Sequence, residues 1–290
     1  MAHRYIWPLI RNASRSRLLV AYPDVMLDIS VASYKKQFNF SHSTDNKPAI
    51  ILSTAYPSSN LYYGVYAKRL LQTGNAGGFN SGSIHSEMLA MEETGCWFAL
   101  ADVKLEEELR YLCNSNPKFD FVAYLYNGPC IGVETTRIFD YYGGVLTNLR
   151  AMEQLKHKLD DLVCSKKTIR NVRLDKVILN VQVKSGRDAA TVHRAAKILV
   201  KNYPSTMVRI CTVYDERIFS GGKRELQYLR STLAQLSDSR VAEMRQKPMC
   251  ALYQTRGDAP YMGIHIPKRT FLTYRQWWRQ QRQFYLQQQR

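Results

Sequence analysis

The spacing of apolar and polar residues changes period repeatedly along the chain, and each change marks an element. AIILSTA (residues 49–55) is a short β-branched run and predicts a buried strand. NLYYGVYAKRLL (60–71) is rich enough in aromatic and β-branched residues for a second strand, and the intervening YPSSN predicts an antiparallel hairpin. QTGNAGGFNSGS (72–83) breaks all periodicity, and IHSEMLAMEETG (84–95) resumes it as a helix ended by Gly95. VKLEEELRYLC (103–113) reads as another helix, and FDFVAYLYN (119–127) as a central strand covered on both faces. In GPCIGVETTRIFD (128–140), Pro129 has the place of a first helical residue, where its missing N–H is not needed.

A longer helix is predicted over GVLTNLRAMEQLKHKLDDLVC (144–164). DKVILNVQV (175–183) and MVRICTVYD (207–215) then read as strands. Each is followed by a helical pattern, AATVHRAAKILVKNY (189–203) and GKRELQYLRSTLAQL (222–236). Strand–helix alternation with helices of this length argues for a layered α/β fold with a parallel half-sheet. Before the first strand, Val25, Met26, Ile29 and Ala32 fall at helical spacing after Pro23 and Asp24. The expected organisation is therefore an N-terminal helical segment (1–47), a main α/β domain (48–258) with an inserted helix near 144–164, and a tail (259–290).

Composition adds a partner class. Forty-one Lys and Arg against 24 Asp and Glu give a formal charge of +17, so the surface attracts polyanions, with nucleic acid the natural partner. The tail carries Lys268, Arg269, Arg275, Arg279 and Arg282 beside Trp277 and Trp278, and no acid follows Asp258. Arginines interleaved with aromatics suit phosphate contact plus base stacking, which makes Trp277 and Arg279 candidate substrate contacts; the alternative is a helix packed through its aromatics, with solvated arginines. Six dispersed cysteines fit reduced thiols of a cytoplasmic or nuclear protein. No apolar run reaches the length of a membrane span. The first 23 residues hold four arginines and no acid before Pro23 and resemble an organellar targeting segment in composition, although Pro8 interrupts any amphipathic helix there.

Two short motifs carry candidate chemistry. His85 and Glu87 form an H-x-E triplet at a predicted helix start, and Pro129-Cys130 follows about forty residues later at the end of a predicted buried strand. A His at one helix start and a Cys at the next can converge on a single zinc ion. The order of hairpin, H-x-E helix, strand, P-C helix and two strand–helix units resembles the zinc-dependent cytidine deaminase superfamily, whose signature is H-x-E…P-C-x-x-C. The resemblance implies a three-layer α/β/α sheet, His85 and Cys130 as zinc ligands, and Glu87 as the proton shuttle. It also implies a zinc-activated hydroxide that attacks an aminated ring carbon. Asn75, in the Gly/Asn-rich loop, matches a substrate-contacting Asn of many such deaminases, and Asn80 is nearly as well placed.

The second cysteine of the signature has no counterpart, because Val133 stands there. Glu134 could supply a carboxylate ligand from the same helical face; Cys113 or Cys164 could be brought in; or metal and catalysis could have been lost. The expectations are thus a hydrolase acting on C–N bonds of cytosine, or less readily adenine, in single-stranded DNA or RNA. The alternatives are a metal-free deaminase-like nucleic-acid-binding protein, and an unrelated structural or assembly protein with a basic tail.

Overall fold

The computed structural model describes residues 17–22, 25–42, 45–57, 70, 81–97, 100–113, 115–125, 129–140, 144–219 and 251–254. In chain order the elements are β1 (Arg17–Tyr22), β2 (Val25–Ser30), α1 (Val31–His42), β3 (Ala49–Pro57), α2 (Ser81–Trp97) and β4 (Leu100–Leu105). They continue with β5 (Phe121–Leu125), β6 (Cys130–Arg137), α3 (Asn148–Thr168), β7 (Lys176–Val183), α4 (Gly186–Leu199), β8 (Thr206–Val213), the one-turn helix α5 (Glu216–Phe219) and β9 (Ala251–Gln254). By contact density the chain divides into Met1–Gly257 and Asp258–Arg290, and the second unit lies outside the described residues.

The strands form one mixed sheet in the order β4-β5-β6-β7-β8-β3-β2-β1-β9. Its middle, β6-β7-β8-β3, is parallel. The flanks, β4-β5 on one side and β2-β1-β9 on the other, are antiparallel. β7 and β8 are buried along their whole length, which is what near-continuous runs of Val, Ile, Leu and Met require of strands covered on both faces.

Two cores follow from this layering. Ile131, Val133, Ile178 and Met207 face α2 through Ile84, Met88 and Met91. The alternate positions Val177, Leu179, Val181, Val208 and Ile210 face α3 and α4 through Leu155, Leu159, Leu162, Val192 and Ala196. Thr147 caps α3 by accepting from the Arg150 N–H, and Ser185 caps α4 by accepting from the Asp188 N–H, with the Asp188 carboxylate well placed for the helix dipole. Glycine is needed at 132: a Cβ there would stand 2.9 Å from the Phe119 ring, which closes this end of the second core.

An α/β fold is thus present, with β3, α2, β5, α3, β7, α4 and β8 all close to the elements predicted; α2 runs past Gly95 to Trp97. Several expectations need correction. Residues 25–30 are strand β2, not helix, so the amino-terminal segment from Arg17 belongs to the main sheet. Both edges of β3 are occupied, by β2 and β8; apart from Leu70, the segment 60–71, expected as its hairpin partner, lies outside the described residues. Residues 100–105 are strand β4, followed by a single 3-10 turn at Glu106–Glu108.

The Pro129-Cys130 segment opens strand β6 rather than a helix. Its Ile, Val and paired Thr residues suit a pleated strand, with Ile131 and Val133 in the core under α2 and Cys130 against the other core. The helix near 144–164 is no insertion: α3 is the crossover that joins parallel β6 to β7. The helix predicted over 222–236 lies outside the described residues.

Candidate functional site

Helix α2 lies over the sheet on a seam of buried polar groups. The Ser86 hydroxyl donates to Gln182 Oε1 (2.7 Å) while Gln182 Nε2 donates back to the Ser86 carbonyl (2.8 Å). Two turns further along the same helical face, Asn180 Nδ2 donates to Glu93 Oε2 (3.0 Å), and Arg209 Nη1 lies 3.4 Å from the Thr94 hydroxyl. Glu93, Asn180, Gln182 and Arg209 are all fully buried. Burial pushes the Glu93 carboxyl up, against the opposing pull of the Arg209 guanidinium, and the same burial, with Glu93 beside it, raises the Cys211 thiol. These bonds fix α2 in register on β7 and β8. None of their members stands out in the sequence, because an isolated Asn, Gln or Arg looks like a surface residue until its strand is known to be central.

The seam delivers the start of α2 to the carboxyl ends of the parallel strands. His85, 1% exposed, lies with Nδ1 3.1 Å from the Arg217 carbonyl. A carbonyl only accepts, so Nδ1 carries the proton. Arg137, the last residue of β6, donates from Nη1 to the Ile218 carbonyl (2.9 Å). The Arg217 guanidinium is held on both oxygens of Asp215, at 2.5 to 3.0 Å. Lys184 Nζ sits 4.9 Å from the Phe139 ring centroid and 5.5 Å from that of Phe219.

After β7 the chain turns into α4 on one face, and after β8 into α5, which packs on α2 on the other. The strand ends where connections diverge in this way are the usual place for a ligand in an open α/β sheet. At this edge Tyr56 and Tyr214 stack, with centroids 5.2 Å apart and planes 9° from parallel, and Tyr214 stays 58% exposed.

Charge is handled differently on the two crossover helices. On α3, Lys156 bonds Asp160 (2.8 Å) and Lys158 bonds the buried Glu134 (2.8 Å). On α4, Arg187, Arg194, Lys197 and Lys201 just beyond its end are exposed at helical spacing, opposite the buried Val192, Ala195 and Ala196. Arg194 reaches only the neutral Asn148 and Thr191 side chains, at 3.3 and 3.1 Å. Among the described residues none of these four cations forms an ion pair with an acid. Beside the row, burial first and then Lys197 and Lys36 push the His193 imidazole below its ordinary pKa, as a region of positive potential does.

The residues expected to bind zinc do not come together. His85, on α2, is at the carboxyl end of the parallel strands. Cys130 is at their amino end, where its backbone N–H donates to Asp175, and its side chain is on the opposite face with the α3–α4 core. The length of β6 between these ends is roughly 20 Å, against metal–ligand bonds near 2 Å. Burial, reinforced by Asp175, pushes the Cys130 thiol up to about 11, away from the thiolate that zinc would need. Glu134 shares the face of Cys130, on a strand and not on a helix, and is committed to Lys158. Of the two cysteines considered as replacements, Cys113 is exposed and bonds Ser115, and Cys164 is on α3.

Glu87 is half-buried on α2, close enough to Glu134 to contribute to its raised pKa. Among the described residues no group of three or more His, Cys, Asp or Glu side chains is placed to hold a metal ion. Asn75, Asn80, Trp277 and Arg279 lie outside the described residues.

Compared with known proteins, the chain matches no family model, no curated protein and no solved structure. Among the described residues no helix is long and apolar enough to cross a membrane.

Proposed function

We propose that this protein binds nucleic acid through the exposed cation row of α4, without calling on zinc chemistry. The observation that carries the reading is the state of Arg187, Arg194, Lys197 and Lys201: exposed, aligned on one helical face, and unmatched by any acid among the described residues. Cations left unmatched on one face of a chain of formal charge +17 are available to phosphates, and each phosphate contact gains free energy from released counterions. The row spans about 20 Å, the length of several phosphate steps. The deaminase reading needs His85 and Cys130 on one ion, and these lie at opposite ends of the sheet; that is why binding rather than hydrolysis is proposed.

The test is the salt dependence of oligonucleotide affinity for the full chain and for the variant with all four residues changed to Gln. For single strands the slope of log K against log salt should flatten by about 0.7 for each lost contact. An unchanged slope and affinity would sink the reading.

A further inference from the structure

The structure assigns a second part to this interface: Tyr214, backed by Tyr56, is a stacking platform for an unpaired base at the carboxyl edge of the sheet. The inference rests on the nucleic-acid reading and names the strand class that the interface takes. Its basis is register. Val183 of β7 is paired with Thr212 of β8, so Ser185, the cap of α4, stands level with Tyr214 on the neighbouring strand. Ala55 of β3 is level with Val213, so Tyr56 comes beside Tyr214, and the Tyr214 N–H donates to the Ala55 carbonyl (3.1 Å). Adjacent strands are about 5 Å apart. The aromatic pair therefore stands one strand from the helix end that carries Arg187, the first cation of the row.

Two features of this corner suit a nucleotide. Tyr56 covers one face of the Tyr214 ring and fixes its plane, while more than half of Tyr214 stays in solvent. A Cβ built on Gly186, at the first turn of α4, meets nothing within 4 Å, so the space beside the helix end is open. Every base has a π-face, so a fixed ring beside a cation row takes a base of any sequence provided that it is unstacked. Duplex DNA offers phosphates to α4 but no such base, which makes the preferred ligand single-stranded, or a duplex with an unpaired end.

The experiment compares three probes of equal length on the full chain: a single-stranded oligothymidylate, an abasic strand with the same phosphates, and a blunt duplex. Tyr214→Ala is expected to weaken oligothymidylate binding roughly 10-fold, within the range for loss of one stacked base, and to leave the abasic strand and the duplex unaffected. Tyr214→Trp, which restores a large ring, is expected to recover the lost affinity. Equal binding of oligothymidylate and abasic strand by the wild type, or an equal loss on all three probes in Tyr214→Ala, overturns the stacking platform while leaving the phosphate row standing. No binding of any probe by the wild type overturns both.

Discussion

Helices α3 and α4 make the same kind of crossover, cover the same face of the sheet and both carry several cations, but they put those cations to different use. On α3 the charges close on one another: Lys156 with Asp160 one turn on, His157 with Asp161, and Lys158 with Glu134 of the sheet below. On α4 the one acid, Asp188, is spent on the helix cap, and the cations that follow point outward without an acidic partner among the described residues. Lys158 acts inward, compensating a carboxylate that the sheet has buried, whereas the α4 row is left to the solvent. Positive charge by itself does not mark an interface; the absence of local neutralisation does.

The sharpest test of the inward-facing charge is Lys158→Met. At pH 8.5, where Glu134 is ionised, removing its partner is expected to cost about 3 kcal/mol in denaturant unfolding, as for other broken buried pairs. At pH 5 the loss should shrink to less than a third of that, because a protonated Glu134 needs no cation. Oligonucleotide affinity should not change. A pH-independent loss would show that Lys158 acts through its aliphatic stem and not through its charge.

The wild type should show the same carboxylate as a pH dependence of stability. Burial, only partly offset by Lys158, pushes the Glu134 carboxyl from its ordinary 4.5 up to about 7. Burial likewise raises Asp120 and Glu93. The folded state then holds protons that the unfolded chain has already released, so stability should fall as pH rises, the Glu134 share of that fall running from about 4.5 to about 7. Glu134→Gln should flatten that decline by an amount on the order of 3 kcal/mol over the window. A rise in stability across this range would contradict the assignment.

Reversing charge on each helix addresses the comparison directly. Arg194→Glu with Lys197→Glu on α4 is expected to weaken oligonucleotide binding about a hundredfold, and Lys156→Glu with Lys167→Glu on α3 less than about tenfold. Equal losses would mean that the bulk charge governs binding and not the row. The smallest effect belongs to Lys156→Ala, which breaks an exposed pair one turn apart and should cost only about 0.3–0.5 kcal/mol in unfolding free energy.

How much of this was legible in the chain depended on whether local chemistry was decisive. The alternating and continuous apolar runs of β7 and β8 and the helical periods of α3 and α4 identify themselves, because each is long and buries a single consistent face. Residues 130–137 did not: Pro129 resembles a helix start, but Ile131, Val133, Thr135 and Thr136 favour the strand, and pairing with β5 and β7 decided the matter. Residues 25–30 went the same way, since apolar spacing over six residues fits either period until a sheet edge is available. The expected convergence of Cys130 and His85 depended on the helix expected at Pro129, and moving Cys130 from a helix start to the amino end of strand β6 carries it away from His85. The α2 seam and the Tyr56–Tyr214 stack could not be read at all: both bring together residues more than 80 positions apart, through strand order alone. The cations of α4 were visible one by one, but not their lack of acidic partners, which is a property of the surroundings.

The pairing of β3 with β8 also bears on how the chain is made. Residues 49–55 must wait for residues 207–213 to complete their edge, and at ordinary synthesis rates that interval is roughly 10–30 s. In that time β3 has only its amino-terminal neighbour, β2, to cover it. A truncation at residue 48, where the sequence invites a domain boundary, would remove that cover and leave the nascent strand open on both sides to other chains. By this order of synthesis, one edge of β3 has its partner, β2, before the partner of the other edge has been made.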